Sequence, residues 1–288
     1  MKTYLACYPC FLRQALDAAQ MVGATEEAQR TVIDATLSLL QGLDPAETPP
    51  EIGDKIHRLV RTMVEDGDPY REAKDRATTQ ALALYPDLSA RCADADDPLA
   101  PAVRAAIAGN IIDFGPGTTY ELHATLDRVM AQPFAIGDLG LLRAALARAE
   151  SVLYLADNAG ETVFDRLLIE TLPVPVTYAV KGGPILNDAT LADARAAGID
   201  GVAELITTGS DAPGTILHRC SAAFRRRFEN ADLILAKGQA NYETLSPGDA
   251  RIFFLLQAKC PVIAEDIGVP VRSVILRQGG WREQPLGT

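Results

Sequence analysis

The chain has 288 residues, of which 48% are hydrophobic and 23% charged, as in a soluble globular protein of one large domain or two ordinary ones. A formal net charge of -11 argues against a nucleic-acid partner, and the sequence has no apolar stretch long enough to span a membrane. Residues 1–7 turn polar too soon for a signal peptide, so we expect a cytoplasmic protein. The five cysteines form an odd and sparse set, so we expect no disulfide framework.

The first half of the sequence is predicted to be helical almost throughout. Its apolar residues recur at helical spacing, and breaks that contain proline or glycine separate the segments. The predicted helices cover residues 11–21, 25–43, 52–64, 70–85, 99–110 and 139–150. We predict an all-helical N-terminal domain over residues 1–145, followed by a second domain over residues 146–288.

From residue 151 the pattern changes to strands that alternate with helices. The predicted strands cover residues 151–156, 174–180, 202–206, 233–236, 260–264 and 271–276. Helices are predicted from residue 162, at 191–197 and at 216–228. Such alternation is typical of an α/β fold in which a mainly parallel sheet carries helices on both faces.

A short polar turn follows the first of these strands. Asp157 and Asn158 stand where the strand ends, Gly160 permits a sharp turn, and a helix begins at Thr162. Ligands of open α/β sheets bind beyond the carboxyl ends of the strands, and the oxygen atoms of Asp and Asn suit Mg²⁺ or Mn²⁺. The alternative is that Asp157 and Asn158 only cap the helix and shape the turn.

Polar turns after four of the strands are predicted to meet at one edge of the sheet. Three oxygen donors, Asp157, Asn158 and Asp188, could bind one divalent cation there and leave positions open for water and substrate. Lys237 and Lys259 could offset the charge of a phosphoryl group. Spacing alone also allows Asp188 to be a helix N-cap and Lys259 to be a solvated surface lysine.

Several motifs together resemble a known family. In the second half these are DNAGE at 157–161, ILNDAT at 185–190, KGQANYE at 237–243 and LLQAK at 255–259. In the first half they are CYPCFLR at 7–13, DPY at 68–70 and GNIID at 109–113. Taken in this order over nearly the whole chain, they resemble the damage-control phosphatases, formerly a numbered family of unknown function, and within it the prokaryotic subgroup with an N-terminal CxxC.

The resemblance implies a helical domain joined to a Rossmann-like α/β/α domain. It implies metal-dependent hydrolysis of phosphate esters, with sugar phosphates or damaged phosphometabolites as substrates and one Mg²⁺, Mn²⁺, Co²⁺ or Ni²⁺ ion as cofactor. Some relatives carry Asp and Arg where this chain has Gln239 and Glu243, which leaves the substrate open. The family's metal ligands map onto Asp157, Asn158 and Asp188, and its phosphate- and substrate-binding positions map onto Glu161, Asn241 and Lys259.

Two further expectations concern the closed pocket and its partners. The resemblance brings the turn with Asn110 and Asp113 over the sheet edge, where both residues would help to enclose the substrate. Lys237 and Asn241 would bind the phosphate with them. The expected partner is a small phosphorylated metabolite, with no nucleic acid and no membrane, and the sequence leaves the oligomeric state open.

The predicted mechanism is direct attack by water on the phosphorus atom. Asp157, Glu161 and Lys259 are the candidate catalytic residues: Asp157 holds the cation, Glu161 orients the water or a substrate hydroxyl, and Lys259 neutralises phosphoryl oxygens. An aspartyl-phosphate on Asp157 is the alternative, but haloacid-dehalogenase phosphatases carry a second Asp where this chain has Ala159.

Other functions stay open at this stage. An S-adenosylmethionine-dependent methyltransferase would share the α/β fold, although its cofactor usually needs a more glycine-rich turn after the first strand. A non-catalytic sugar-phosphate or metal-binding module is also compatible with the sequence. Cys7 and Cys10 form a CxxC pair that could pack structurally, bind a second metal ion with further ligands, or act in redox chemistry.

Overall fold

The computed structural model describes residues 1–62, 68–110, 119–246 and 248–281, with only the backbone given for 119–122 and 125. Across these ranges we find no helix that is both long and apolar enough to cross a membrane. The first helices of the described chain are α1 (Tyr8–Met21), α2 (Glu26–Gln41), α3 (Pro49–Arg61), α4 (Arg71–Ala93), α5 (Leu99–Gly109) and α6 (Thr119–Ala131).

Helices α1 to α5 confirm the helical pattern of the first half. Thr25 caps α2 by accepting a hydrogen bond from the backbone of Ala28, as its position before two glutamates predicts. Helix α4 continues past the predicted end at residue 85, with Pro86 exposed on its outer face. The sequence pattern did not predict α6, and residues 63 and 64 of the third predicted helix lie outside the described residues.

The rest of the described chain builds one sheet and the helices that cover it. Its strands are β1 (Phe134–Gly137), β2 (Val152–Leu155), β3 (Val176–Val180), β4 (Glu204–Thr207), β5 (Leu233–Lys237), β6 (Ile252–Gln257) and β7 (Val274–Gln278). Its helices are α7 (Leu139–Leu146), α8 (Thr162–Thr171), α9 (Leu191–Ala196), α10 (Ala222–Asn230), α11 (Gly238–Leu245) and α12 (Pro261–Ile267). The strand order is β1-β7-β6-β5-β2-β3-β4, and neighbours run parallel except for β6 and β7.

Both faces of the sheet are covered, which confirms the predicted α/β class. Along β2, Val152 and Tyr154 pack into a core shared with α4, α5, α6 and α8, whereas Leu153 and Leu155 pack into a core shared with α10, α11 and α12. Helices α1, α2 and α3 form a smaller cluster of their own around Phe11. The chain thus consists of a two-faced sheet layer with a small helical bundle beside it.

The predicted set of strands differs from the observed one at both β6 and β1. The strand predicted at residues 260–264 is wrong, because Pro261 begins helix α12 at a position that suits proline. The strand lies instead at β6, a continuous apolar run whose period does not distinguish a buried strand from a buried helix. Strand β1 was not predicted, and it lies before residue 145 while belonging to the sheet. The domain boundary at residue 145 stays a prediction.

Candidate functional site

The turn after β2 is tied to the loop after β3 by backbone hydrogen bonds. The N–H of Ala189 donates to the carbonyl oxygen of Asp157 at 2.8 Å, and the N–H of Ala159 donates to that of Asn187 at 2.8 Å. Asn158 and Asp188 form an antiparallel bridge between the two segments. Because both loops leave the carboxyl ends of neighbouring parallel strands, the structure brings Asp157, Asn158 and Asp188 together at the predicted edge.

Asp157 is buried at the centre of this cluster. Its Oδ2 accepts hydrogen bonds from the side-chain amides of Asn110 at 2.7 Å and Asn158 at 3.3 Å. Burial, and then the neighbouring carboxylates of Glu161 and Asp188, raise the pKa of Asp157 to about 8. The ionised form of Asp157 is therefore stabilised by any positive charge placed beside it.

Asp188 is buried beside a lysine that sequence reasoning missed. The Nζ of Lys181 lies 3.4 Å from Oδ2 of Asp188 and also donates to the carbonyl oxygen of Gly214. Burial raises the pKa of Asp188, and Lys181 partly offsets the increase. Oδ2 of Asp188 has no hydrogen-bond partner in the described part of the chain. The position of Lys181 directly after β3 was the available signal for its role.

Glu161 is fully engaged inside the protein. Its Oε1 accepts hydrogen bonds from the amides of Asn110 and Asn158, the latter at 2.5 Å, and its Oε2 accepts one from Nζ of Lys237 at 2.9 Å. The residue is 1% exposed. Glu161 therefore lies behind Asp157 as a hydrogen-bond acceptor for neighbouring side chains.

Lys237 also lies behind the site and has no solvent exposure. Its Nζ donates to Glu161 and, at 2.7 Å, to Oδ1 of Asp165, whose two oxygens also accept the hydroxyls of Tyr154 and Tyr178. Burial lowers the pKa of Lys237, but the two carboxylates outweigh it, so the pKa lies above its ordinary value. The ammonium group is thus held by protein carboxylates, an arrangement the sequence did not reveal.

Asn241 and Lys259 occupy contrasting positions at the same edge. The amide of Asn241 is buried, donates to the carbonyl oxygens of Ala156 and Lys237, and accepts the hydroxyl of Thr215. Lys259 follows β6 and is exposed. Its positive charge partly offsets the rise in the pKa of Asp157 that burial and the neighbouring carboxylates cause. Of the lysines proposed to bind phosphate, Lys259 is the one at the solvent side.

The helical half contributes Asn110, which ends helix α5 and touches both Asp157 and Glu161. The structure therefore brings this predicted pocket residue to the cluster. Asp113, its predicted companion, lies outside the described residues. Asn110 lies where the prediction placed it. That the turn encloses the substrate stays a prediction.

Carboxylate and carboxamide side chains supply the oxygen atoms of this cluster. Among the described residues no three His, Cys, Asp or Glu side chains are grouped so that they could hold a metal ion. The predicted set has two carboxylates, Asp157 and Asp188, and its third member is the carboxamide of Asn158.

The cysteines are all free thiols. Cys7 precedes α1 and Cys10 lies in its first turn. Burial is the main cause that raises the pKa of the Cys10 thiol, and the carboxylate of Glu243 adds to it. Cys10 is therefore protonated at neutral pH, unlike the low-pKa thiols of redox motifs.

Comparisons with known proteins cover nearly the whole chain. The family model described as "damage-control phosphatase ARMT1-like domain" matches residues 3–275. An uncharacterized protein of Methanocaldococcus jannaschii is 38% identical over 284 residues, which cover 94% of this chain and 93% of that protein. A damage-control phosphatase of Pyrococcus horikoshii is 35% identical over 291 residues, which cover 98% of this chain and 100% of that protein. The crystal structure of a DUF89 family protein from Pyrococcus horikoshii, 32% identical, has a TM-score of 0.89 and covers 97% of this chain and 99% of its own.

Proposed function

Because the chain belongs to the damage-control phosphatase ARMT1-like family, we propose that it hydrolyses phosphate monoesters of small metabolites, either sugar phosphates or damaged phosphometabolites. The observation that carries the proposal is the cluster at the carboxyl edge of the sheet. There Asp157 and Asp188 are buried together while Lys259 stands exposed at the rim. A divalent cation and a phosphate group would complete the charge balance of such an edge.

The residues fit a hard divalent cation such as Mg²⁺, Mn²⁺, Co²⁺ or Ni²⁺. The carboxylate of Asp188 adds to the cost of ionising Asp157. Oδ2 of Asp188 lacks a hydrogen-bond partner among the described residues and faces Nζ of Lys181 at 3.4 Å. Carboxylate and carboxamide oxygens are the donors that these ions accept. Asp157, Asn158 and Asp188 would hold the ion, which when bound would polarise the phosphoryl group and lower the pKa of a coordinated water.

The protein's own side chains would position the substrate around this centre. Lys259 would neutralise phosphoryl oxygens from the solvent side, the role of a preorganised transition-state donor. Glu161 would act indirectly, by fixing the amides of Asn110 and Asn158. Lys237 and Asn241 would hold the frame of the site, since their polar groups already have partners inside the protein.

The test is phosphate release from a panel of sugar phosphates by the purified chain, with each of the four cations or with a chelator. We expect release that needs a cation. Lys259→Met should lower kcat by roughly a hundredfold, the scale on which one transition-state donor acts. Lys55→Met removes a surface lysine that pairs with Glu47 on the helical bundle and should leave kcat unchanged. Binding of sugar phosphates without release would favour the non-catalytic alternative.

The stereochemistry at phosphorus separates the two chemical routes. A phosphate ester made chiral with two oxygen isotopes is hydrolysed in water that carries the third isotope. Direct attack by water is one in-line displacement and inverts the configuration, whereas an aspartyl-phosphate on Asp157 needs two displacements and retains it. We expect inversion, because Ala159 replaces the second carboxylate that the covalent route would use.

A further inference from the structure

The amide of Asn110 is wedged between two carboxylates. Its Nδ2 donates to Oδ2 of Asp157 at 2.7 Å and to Oε1 of Glu161. Glu161 is ion-paired with Lys237 and its carboxylate accepts hydrogen bonds, so the amide must turn its NH₂ group towards it. This fixes the assignment of the amide and directs its carbonyl oxygen away from both carboxylates.

That carbonyl oxygen has no hydrogen-bond partner in the described ranges, although Asn110 is only 5% exposed. A buried polar atom without a hydrogen bond destabilises the folded state, and native proteins rarely leave one without a reason. Oδ2 of Asp188 also lacks a hydrogen bond in the described part of the chain and faces Nζ of Lys181 at 3.4 Å. The unpartnered oxygen of Asn110 lies in a cluster that holds the carboxylates of Asp157 and Asp188, and such an oxygen is a suitable ligand for a cation.

Asn158, already a predicted ligand, is held in the same way. Its Nδ2 donates to the same two residues, Oδ2 of Asp157 and Oε1 of Glu161. Its oxygen is therefore turned away from Glu161 like that of Asn110. Lys237 fixes the other oxygen of Glu161, so one buried carboxylate orients two amides.

We propose that the side-chain oxygen of Asn110 is a fourth protein ligand of the divalent cation, beside Asp157, Asn158 and Asp188. The proposal rests on the metal site of the proposed function and gives Asn110 a different role from the predicted one of binding substrate. With four oxygen ligands from the protein, a six-coordinate ion would keep two places, enough for a phosphate oxygen and one water.

Mn²⁺ binding to the full chain tests the proposal without any substrate. Electron paramagnetic resonance gives the Mn²⁺ Kd, and water-proton relaxation counts the waters on the bound ion. We expect about two waters in the wild type, because an octahedral ion has six places in all. Asn110→Ala should add one water and raise the Kd roughly tenfold or more. Asn110→Asp keeps an oxygen at the same place and should keep the wild-type water count.

Asn187→Ala is the matched control, since Asn187 is an exposed asparagine next to Asp188. It should change neither the Kd nor the hydration. About three waters in the wild type, or an extra water in both Asn110 variants, would overturn the inference. The wild-type count decides even if Asn110→Ala does not fold. Failure of the wild type to bind Mn²⁺ would overturn this inference together with the metal dependence, whereas phosphate release tests the phosphatase activity separately.

Discussion

Gly238 is the residue on which the position of Asp157 depends most directly. It begins α11 with a φ of 78°, and a Cβ at this position would lie 1.8 Å from Oδ2 of Asp157. A glycine is therefore required here both for the backbone conformation and for the close approach of a buried carboxylate. The sequence shows the glycine after β5 but not what it faces.

Gly238→Ala should displace Asp157 and weaken Mn²⁺ binding by roughly tenfold or more. Gly268→Ala is the matched control, because Gly268 has a φ of 82° and nothing within 4 Å of its would-be Cβ. Both variants should lose about 1–2 kcal/mol of stability from the left-handed backbone. Titration with Mn²⁺ and urea unfolding separate the two effects, and equal Mn²⁺ affinities in the two variants would refute the steric argument.

Glu243 should make stability depend on pH. Burial raises the pKa of Glu243 to about 7 from an ordinary 4.5. The folded state then keeps a proton that the unfolded state loses, so the free energy of unfolding falls as the pH rises from about 4.5 to about 7. The free energy of unfolding of Glu243→Gln should not show this fall. Above pH 7 it should exceed that of the wild type by up to about 3 kcal/mol.

Urea unfolding of both proteins at a series of pH values measures the difference. Glu204→Gln is the contrasting control, since a hydrogen bond from Arg227 lowers the pKa of Glu204. In the wild type, the lowered pKa of Glu204 makes the free energy of unfolding fall as the pH falls. Glu204→Gln should remove this dependence, which has the opposite sign to that of Glu243. A constant difference between Glu243→Gln and the wild type across pH 4–9 would contradict the prediction.

At the scale of elements, a buried polar network joins three strands to helix α8. Asp165 on α8 accepts hydroxyls from Tyr154 on β2 and Tyr178 on β3, and Lys237 at the end of β5 donates to it. Each of these side chains is buried. The network therefore fixes α8, and with it Glu161 one turn earlier, against the carboxyl half of the sheet.

Lys237→Met should destabilise the protein by about 3–5 kcal/mol, because two buried carboxylates would lose their shared counter-charge. Adding Asp165→Asn restores the net charge of the network and should recover a large part of the loss. Urea midpoints of the two variants and of Asp165→Asn alone measure the coupling. Strictly additive changes would show that the charges do not act as a unit.

Sequence patterns predicted elements well where the local signal was complete. The β2–turn–α8 unit follows from a change of period beside a polar turn, and Gly198 marks the end of α9 with its φ of 78°. Strand β1 has only four residues, and its pairing with β7 was not visible locally. The sequence also did not show where the side chain of Lys237 points. Its spacing places it at a strand end, but the hydrogen bond to Asp165 depends on the packing of α8 against the sheet.

At the scale of the whole molecule, an ion-pair cluster fastens the helical bundle to the loops of the sheet layer. Asp54 on α3 is 1% exposed and accepts hydrogen bonds from Arg58 at 3.0 Å and Arg219 at 2.6 Å. Asp211, which follows β4, pairs with Arg58 and Arg61. The polar turn after β4 therefore faces α3 through Asp211, whereas its later residues Gly214 and Thr215 reach the site.

Asp54→Ala should loosen the bundle without unfolding the sheet layer. Because Arg58 and Arg219 are more than a third exposed, the expected loss is about 1–2 kcal/mol, less than for a fully buried pair. Hydrogen exchange should accelerate in α3 and remain slow in β2. Glu72→Ala, which removes an exposed pair with Arg76, should change neither.

Part of the candidate site could be predicted from the sequence, because the turns that follow parallel strands lie at one edge of the sheet. Asp157, Asn158 and Asp188 were placed together by that rule alone. The orientation of Asn110 could not be predicted, because it depends on contacts between distant segments. Asn110 and Asp157, for example, are 47 positions apart and belong to different halves of the chain.

The pairing of β1 with β7 has a consequence for synthesis on the ribosome. Asp138, directly after β1, accepts a hydrogen bond from Gln278 at the end of β7, 140 positions later. At ordinary translation speeds β1 therefore waits on the order of ten seconds for its partner. During that interval the nascent chain carries an unpaired strand edge, the kind of surface that chaperones shield. Completion of the sheet is thus a late event in the life of each new molecule.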